Sequence, residues 1–297
     1  MRRKRRKHLP TWFAILMMAL LASGLLKLAE TRPQLREFSQ RLGVPDLIGQ
    51  AADEAKASIA SIAPEAWSRN PAKTPTEIIA SAPRNFDHAK TLLRPIFARA
   101  PYDAYCGCPF DPNNYRIDAR SCGLRTTSHV DRASRIEFEH VIPVSSYSRQ
   151  RPCWRNPPPG VAGRDHCRST DAEFAAIEGD PYNLLPTSGA LNAIRGVYRF
   201  AEIPGERREF GSCDFEIDRE LKTVEPPAWI KGDIARIHFY FEDRYGFRIS
   251  GAQRQLFEAW SRMDPIDEIE IARNAAIAER VGWRNPFVLQ NPSGAIR

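Results

Sequence analysis

Six cysteines, at 106, 108, 122, 153, 167 and 213, fall in the middle of a 297-residue chain, with none in the first hundred residues or the last eighty. An even number confined to one region reads as a disulfide framework if the chain is exported to an oxidising compartment. Zinc is the rival reading, but Cys106-Gly107-Cys108 has a single spacer residue where zinc knuckles usually have two to four. Six thiols allow fifteen pairings. Cys153 with Cys167 is the pair that the local sequence favours.

Export is what the N-terminus indicates. Residues 1–8 read Met-Arg-Arg-Lys-Arg-Arg-Lys-His, and residues 9–29 are almost wholly apolar. A basic start before an apolar run is a signal peptide or a signal anchor. Leu9 to Leu26 is at the lower edge of what spans a bilayer, and Ala22-Ser23-Gly24 is a fair rather than a good cleavage site. We expect an inner-membrane anchor at 9–29 ahead of a cleaved signal; the basic flank stays cytoplasmic and the body is periplasmic or secreted. Residues 30–84 read as a Pro/Ala-rich tether with short helices, and 85–297 as the compact domain.

Charge gives little away. The net charge is +7, but residues 1–29 hold seven Lys or Arg and no acid, so the remainder balances at 36 basic and 36 acidic residues. Bulk charge therefore makes no case for nucleic acid. Between residues 91 and 200, however, every basic residue is Arg, whose planar fork suits bidentate phosphate contact. A mixed, solvated surface would look the same.

Two stretches hold groups that could do chemistry. Arg135-Ile136-Glu137-Phe138-Glu139-His140-Val141-Ile142-Pro143 is a β-prone run ending at a proline, with a carboxylate beside an imidazole. Gly179 to Pro186 is turn-like and leads into a helix, capped by Thr187 or Ser188, that carries Asn192 and Arg195 on one face. Glu139 and Asn192 offer hard oxygen ligands, enough for Mg²⁺ once a substrate phosphate adds another; Mn²⁺ or Ca²⁺ are substitutes. His140 is neutral near pH 7 and can take a proton from water. Neighbours on a strand face opposite ways, so Glu139 and His140 share a site only at a strand end or bulge, which the break at Pro143 supplies. Arg164, in the Arg-rich loop 149–170, is a candidate phosphate clamp. Arg195 touches phosphate, or else pairs with a carboxylate such as Glu137. Asn183, between two prolines, reads as a turn residue; His129 and His166 lack a partner carboxylate, and His238 sits on an apolar helix face as a core residue.

Beyond these stretches the patterns give a helix at 87–94, a short helix at 172–177, a strand pair within 212–223, and helices at 230–245, 250–263 and 266–280.

From about Asn85 to Asn291 the chain resembles the bacterial endonuclease I family of periplasmic or secreted nucleases. The points of resemblance run in order through Tyr105-Cys106-Gly107-Cys108, Ser121-Cys122-Gly123, Arg132 to Glu137, Glu139 to Pro143, Cys153-Trp154, Gly163-Arg164, Asn183-Leu184, Pro186, Asn192, Arg195, Arg236, Tyr245, Trp260 and Asn285-Pro286-Phe287. The resemblance implies an α+β fold: a mixed α/β domain around a ββα-metal (His-Me finger) core, with a helical C-terminal part. It implies Mg²⁺-dependent hydrolysis of DNA, and often RNA, with little sequence preference. Carried over by position, His140 is the general base, Glu139 and Asn192 bind the metal, and Arg164 holds the phosphate. Phe138 stands where the family usually has Trp, and Tyr182 where it often has His. The C-terminal cysteines of some members are absent. The other reading is a membrane-tethered nucleic-acid-binding protein without catalysis. No protein partner is implied.

Overall fold

The structure, a computed structural model, describes residues 74, 76–78, 82–205 and 207–288. The expected anchor at 9–29 and most of the tether at 30–84 lie outside the described residues. Among the described residues no helix is long and apolar enough to cross a membrane.

Helix α1 (Phe86–Phe97) starts at Asn85, whose side chain accepts the His88 N–H at 2.9 Å. It buries Leu93, Ile96 and Phe97. Strands β1 (Phe110–Asp111) and β2 (Arg116–Ile117) form a small hairpin. Backbone bonds from Ile117 to Ser134 and from Ile136 to Tyr115 lay β2 alongside the start of β3 (Ile136–His140).

β3 is the strand predicted from the central stretch. Its partner β4 (Leu184–Ser188) runs antiparallel, with Ile136 opposite Ser188 and His140 opposite Leu184. The sequence reading made residues 184–186 part of a turn. They are strand because Leu184 and Leu185 are buried and pair with β3, while Pro186 still offers its carbonyl, which accepts the Ala104 N–H at 2.8 Å. A proline is tolerated where its missing N–H is not needed. Helix α6 (Gly189–Arg195) follows directly, so β3, β4 and α6 form a β–β–α unit. Ser188 precedes α6 but does not cap it; its hydroxyl donates to the Ala133 carbonyl at 3.0 Å.

The chain between β3 and β4 contains four helices: α2 (Val144–Ser148), α3 (Pro152–Arg155), α4 (Gly163–Thr170) and α5 (Ala172–Glu178). Residues 149–170 are therefore not one loop. The disulfide expected between Cys153 and Cys167 joins α3 to α4, with a Cα–Cα distance of 4.9 Å. The others are Cys106–Cys213 and Cys108–Cys122. All six sulfurs are paired, leaving no thiolate for zinc.

The C-terminal part is mostly helical, in an α+β fold. The strand pair near 212–223 appears as β6 (Glu216–Asp218) and β7 (Thr223–Glu225), joined by β5 (Arg199–Phe200) parallel to β7. Helices α7 (Lys231–Tyr245), α8 (Gly251–Met263) and α9 (Glu268–Val281) match the predicted spans to within two residues. Their punctuation is local: Ser250 and Asp267 cap α8 and α9, and Gly246 and Gly282 end α7 and α9 in the left-handed conformation. α7 is buried along most of its length. His238 on α7 is a core residue as expected: its Nδ1 bonds the Ile234 carbonyl at 2.8 Å and its ring lies 4.1 Å from that of Phe257.

Candidate active site

Alternation along β3 sends Glu137 and Glu139 to one side and Phe138 and His140 to the other. α6 lies across the glutamate side. Asn192 Nδ2 donates to Glu137 Oε2 at 2.9 Å, and one turn on Arg195 Nη1 lies 3.1 Å from Glu139 Oε1. The close approach depends on Gly189, where an added Cβ would sit 2.6 Å from Glu137 Oε1. Glu137 also accepts from Arg132 and Arg135. Burial pushes the Glu137 carboxyl up, but the Arg132 and Arg135 bonds outweigh it and hold the group below the usual carboxylate range.

Glu139 is 2% exposed. Its neighbours are Arg195, at ion-pair distance, and the Tyr105 hydroxyl; both favour the charged form, but neither approaches in good hydrogen-bond alignment. Burial raises its carboxyl to about 7, against the charge of Arg195. A buried carboxylate with only these poorly aligned neighbours has room for a further partner.

Arg195 itself is 2% exposed. It donates to the His140 carbonyl at 2.8 Å and the Val141 carbonyl at 2.5 Å, and its guanidinium lies 4.7 Å from the Phe200 ring. What the structure places against Arg195 is carbonyls and a carboxylate. The alternative of a carboxylate partner is met, with Glu139 in place of Glu137. Both carbonyls belong to the turn out of β3, and satisfying them there demands a long donor fork.

His140 is the last residue of β3. Its Nε2 lies 2.9 Å from the Glu178 carbonyl, and its ring is 4.8 Å from Phe86. A carbonyl can only accept, so Nε2 carries the proton and Nδ1 keeps a free lone pair. Burial and then the charge of Arg164 lower the imidazole to about 4, so it is neutral at neutral pH. Arg164 is not in a loop but in the first turn of α4, half-exposed, with Nε donating to Glu178 Oε1 at 2.6 Å. Arg168 donates to both Glu178 oxygens, at 2.8 and 2.7 Å.

Glu178 is therefore the residue that the sequence reading missed. Its carbonyl holds the His140 ring and its fully buried carboxylate holds Arg164. One faint signal existed: an acid at the last position of a helix, where the helix dipole disfavours it. Asn183 is structural, as expected. Its side chain accepts the Ile142 N–H at 2.7 Å and donates to the Ile142 carbonyl at 3.0 Å.

The oxygen donors fit a hard divalent ion better than any cysteine cluster does. Asp103, Cys106 and Cys108 converge to within 4.8 Å of one another, but both sulfurs are locked in disulfides. The unsatisfied Glu139 oxygens are the kind that such a cation satisfies. On Asn192, the bond from Nδ2 to Glu137 fixes which end of the amide is nitrogen and reserves Oδ1 for another partner.

The sequence is similar to known nucleases. The family described as Endonuclease I matches residues 102–292. The chain is 36% identical to an extracellular deoxyribonuclease of Aeromonas hydrophila over 71% of its own length and 93% of the relative. It is 36% identical to a periplasmic deoxyribonuclease of the same organism, over 72% of this chain and 89% of the relative. It is 32% identical to Endonuclease-1 of Buchnera aphidicola, over 70% and 81%. A match of this extent places the chain in the endonuclease I family of nucleic-acid-cleaving enzymes.

Proposed function

We propose that the chain is an exported, Mg²⁺-dependent, sequence-tolerant endonuclease that hydrolyses phosphodiester bonds in DNA, with RNA as a second substrate class. The observation that carries this reading is at the end of β3: on one face a buried Glu139 carboxylate with oxygens left for a further partner, and on the other an imidazole whose Nδ1 is free to accept a proton. The names of the relatives support DNA as substrate and a location outside the cytoplasm. In this proposal residues 9–29 carry the chain to or across the membrane, and 85–297 form the catalytic domain.

In the mechanism we infer, His140 Nδ1 takes the proton from an attacking water. Glu178 keeps the imidazole in the required tautomer and keeps the Arg164 guanidinium beside it. Arg164, partly open to solvent, reaches the scissile phosphate. Glu139 and Asn192 would hold the Mg²⁺. When bound, that ion stabilises negative charge on the phosphate and on the departing oxygen. Arg195 orients the end of β3 and partners Glu139, without touching substrate. Contacts of this kind go to phosphate and sugar, which carry no direct sequence information.

The test is cleavage of supercoiled DNA, linear DNA and RNA side by side, with Mg²⁺ and with EDTA. We expect metal-dependent nicking of DNA, and a loss of about 10²- to 10⁴-fold in His140→Ala. Cleavage by His140→Ala at the wild-type rate removes the general-base assignment, and cleavage in EDTA removes the metal.

A further inference from the structure

The proposed base is gripped by residues 178–183, and that segment is itself gripped from the other side. The Glu178 carbonyl holds the His140 ring, the Asn183 carbonyl accepts the Val141 N–H at 2.9 Å, and the Asn183 side chain closes on Ile142. Between these two anchors stands Asp180, with no exposed surface. Its Oδ1 accepts the Tyr182 N–H at 2.8 Å, capping the 3-10 turn Pro181–Asn183. Its Oδ2 accepts the hydroxyls of Tyr240, at 2.6 Å, and Tyr245. Both tyrosines are on α7. Arg244 on the same helix lies 3.8 Å from Oδ2, and Trp283 donates to the Tyr240 hydroxyl at 2.9 Å.

A buried carboxylate is an expensive way to glue a loop to a helix. Well-packed apolar residues do as well or better for stability. What several directed donors on one carboxylate add is a fixed position, and here the position fixed is two residues from the carbonyl that sets the His140 tautomer. Working from the catalytic reading above, we propose that Asp180, with Tyr240 and Tyr245, is a positioning residue for the His140 imidazole. Through it α7 sets the geometry of the base from the far side of residues 178–183. Because Glu178 also holds Arg164, the same clamp aligns the base with the phosphate-binding guanidinium.

The experiment uses the full chain. Asp180→Asn, Asp180→Ala and the double variant Tyr240→Phe, Tyr245→Phe are compared with wild type in kcat, KM, thermal midpoint and the ¹⁵N signals of the His140 ring, assigned with His140→Gln. The expected result is a fall in kcat of about 10- to 100-fold, as for a misplacement of about 1 Å. KM should stay within about twofold, and the wild-type Nε2–H tautomer should give way to a mixture. A ring signal unchanged from wild type overturns the proposal, even if kcat falls, because the loss is then one of general stability. A kcat within twofold of wild type overturns it as well. Should Asp180→Ala fail to fold, the double tyrosine variant keeps both rings in place and decides alone. The tautomer is read without DNA or metal, so it stands apart from the catalytic reading. Wild-type cleavage by His140→Ala sinks that reading, whereas a static ring signal sinks the clamp.

Discussion

Replacing Arg195 by methionine separates the two roles that a guanidinium near this site can have. In the structure the group is buried, sits 3.1 Å from Glu139 Oε1, and donates to the His140 and Val141 carbonyls at 2.8 and 2.5 Å. Methionine fills much of the volume and removes all three interactions. Breaking a buried ion pair from one side costs about 3–5 kcal/mol, and each stranded carbonyl adds about 1–3 kcal/mol. Against this, the Glu139 carboxyl is already raised to about 7 and can shed its charge by taking up a proton. With Glu139 neutral the two carbonyls remain, so the net expectation is a loss of about 2–6 kcal/mol in urea unfolding without metal, with the disulfides intact. Adding Glu139→Gln to Arg195→Met should recover about 1–3 kcal/mol as a coupling energy. The second assay is the salt dependence of DNA binding. A residue that contacts phosphate contributes about one to the slope of log K against log salt, and a buried one contributes nothing. If Arg195→Met is within about 1 kcal/mol of wild type and the slope drops by about one, the residue reaches substrate and the positioning role is refuted.

Three further outcomes are expected. Gly189→Ala should destabilise the protein by about 1–3 kcal/mol in urea, because the new methyl meets Glu137 at 2.6 Å; a neutral result would show that α6 can slide. Cys153→Ser with Cys167→Ser opens a loop of 14 residues and should cost about 3 kcal/mol, with kcat falling too because α4 carries Arg164; unchanged kcat would detach α4 from the site. Burial lowers the His238 imidazole to about 3 from its ordinary 6.5. The unfolded chain therefore takes up the proton first, and stability present above pH 6.5 is lost as pH falls toward 3, by a few kcal/mol. His238→Phe should flatten that decline, and an unaltered pH profile would contradict it.

The helices of the C-terminal part were legible because their signals are local: a capping Ser or Asp, an apolar face at helical spacing, and a glycine at the end. β4 was not, because two prolines at 181 and 186 mimic a turn, and only the pairing with β3 across more than forty intervening residues makes 184–188 a strand. The helices α3 and α4 were hidden in the same way by the prolines and glycines between Arg149 and Thr170, although the disulfide that binds them was readable from spacing. At the site, Glu139, His140, Asn192 and Arg164 stood out as residue types, and the strand-end position of His140 could be argued from Pro143. The partners could not. That Arg195 faces Glu139 while Asn192 faces Glu137 follows from strand alternation meeting a helical turn, a register fixed only by packing. Glu178 and Asp180 act through a backbone carbonyl and through a helix sixty residues away, and neither leaves a trace in the local sequence.

The cystine framework has a consequence for where such a chain is held together. Among reducing thiols Cys106 and Cys213 are not joined, Cys153 and Cys167 do not fasten α3 to α4, and Glu178 alone ties the arginines of α4 to the strand end. An oxidising compartment closes these ties. If the chain is exported as proposed, the covalent ties between these elements close only after it has crossed the membrane.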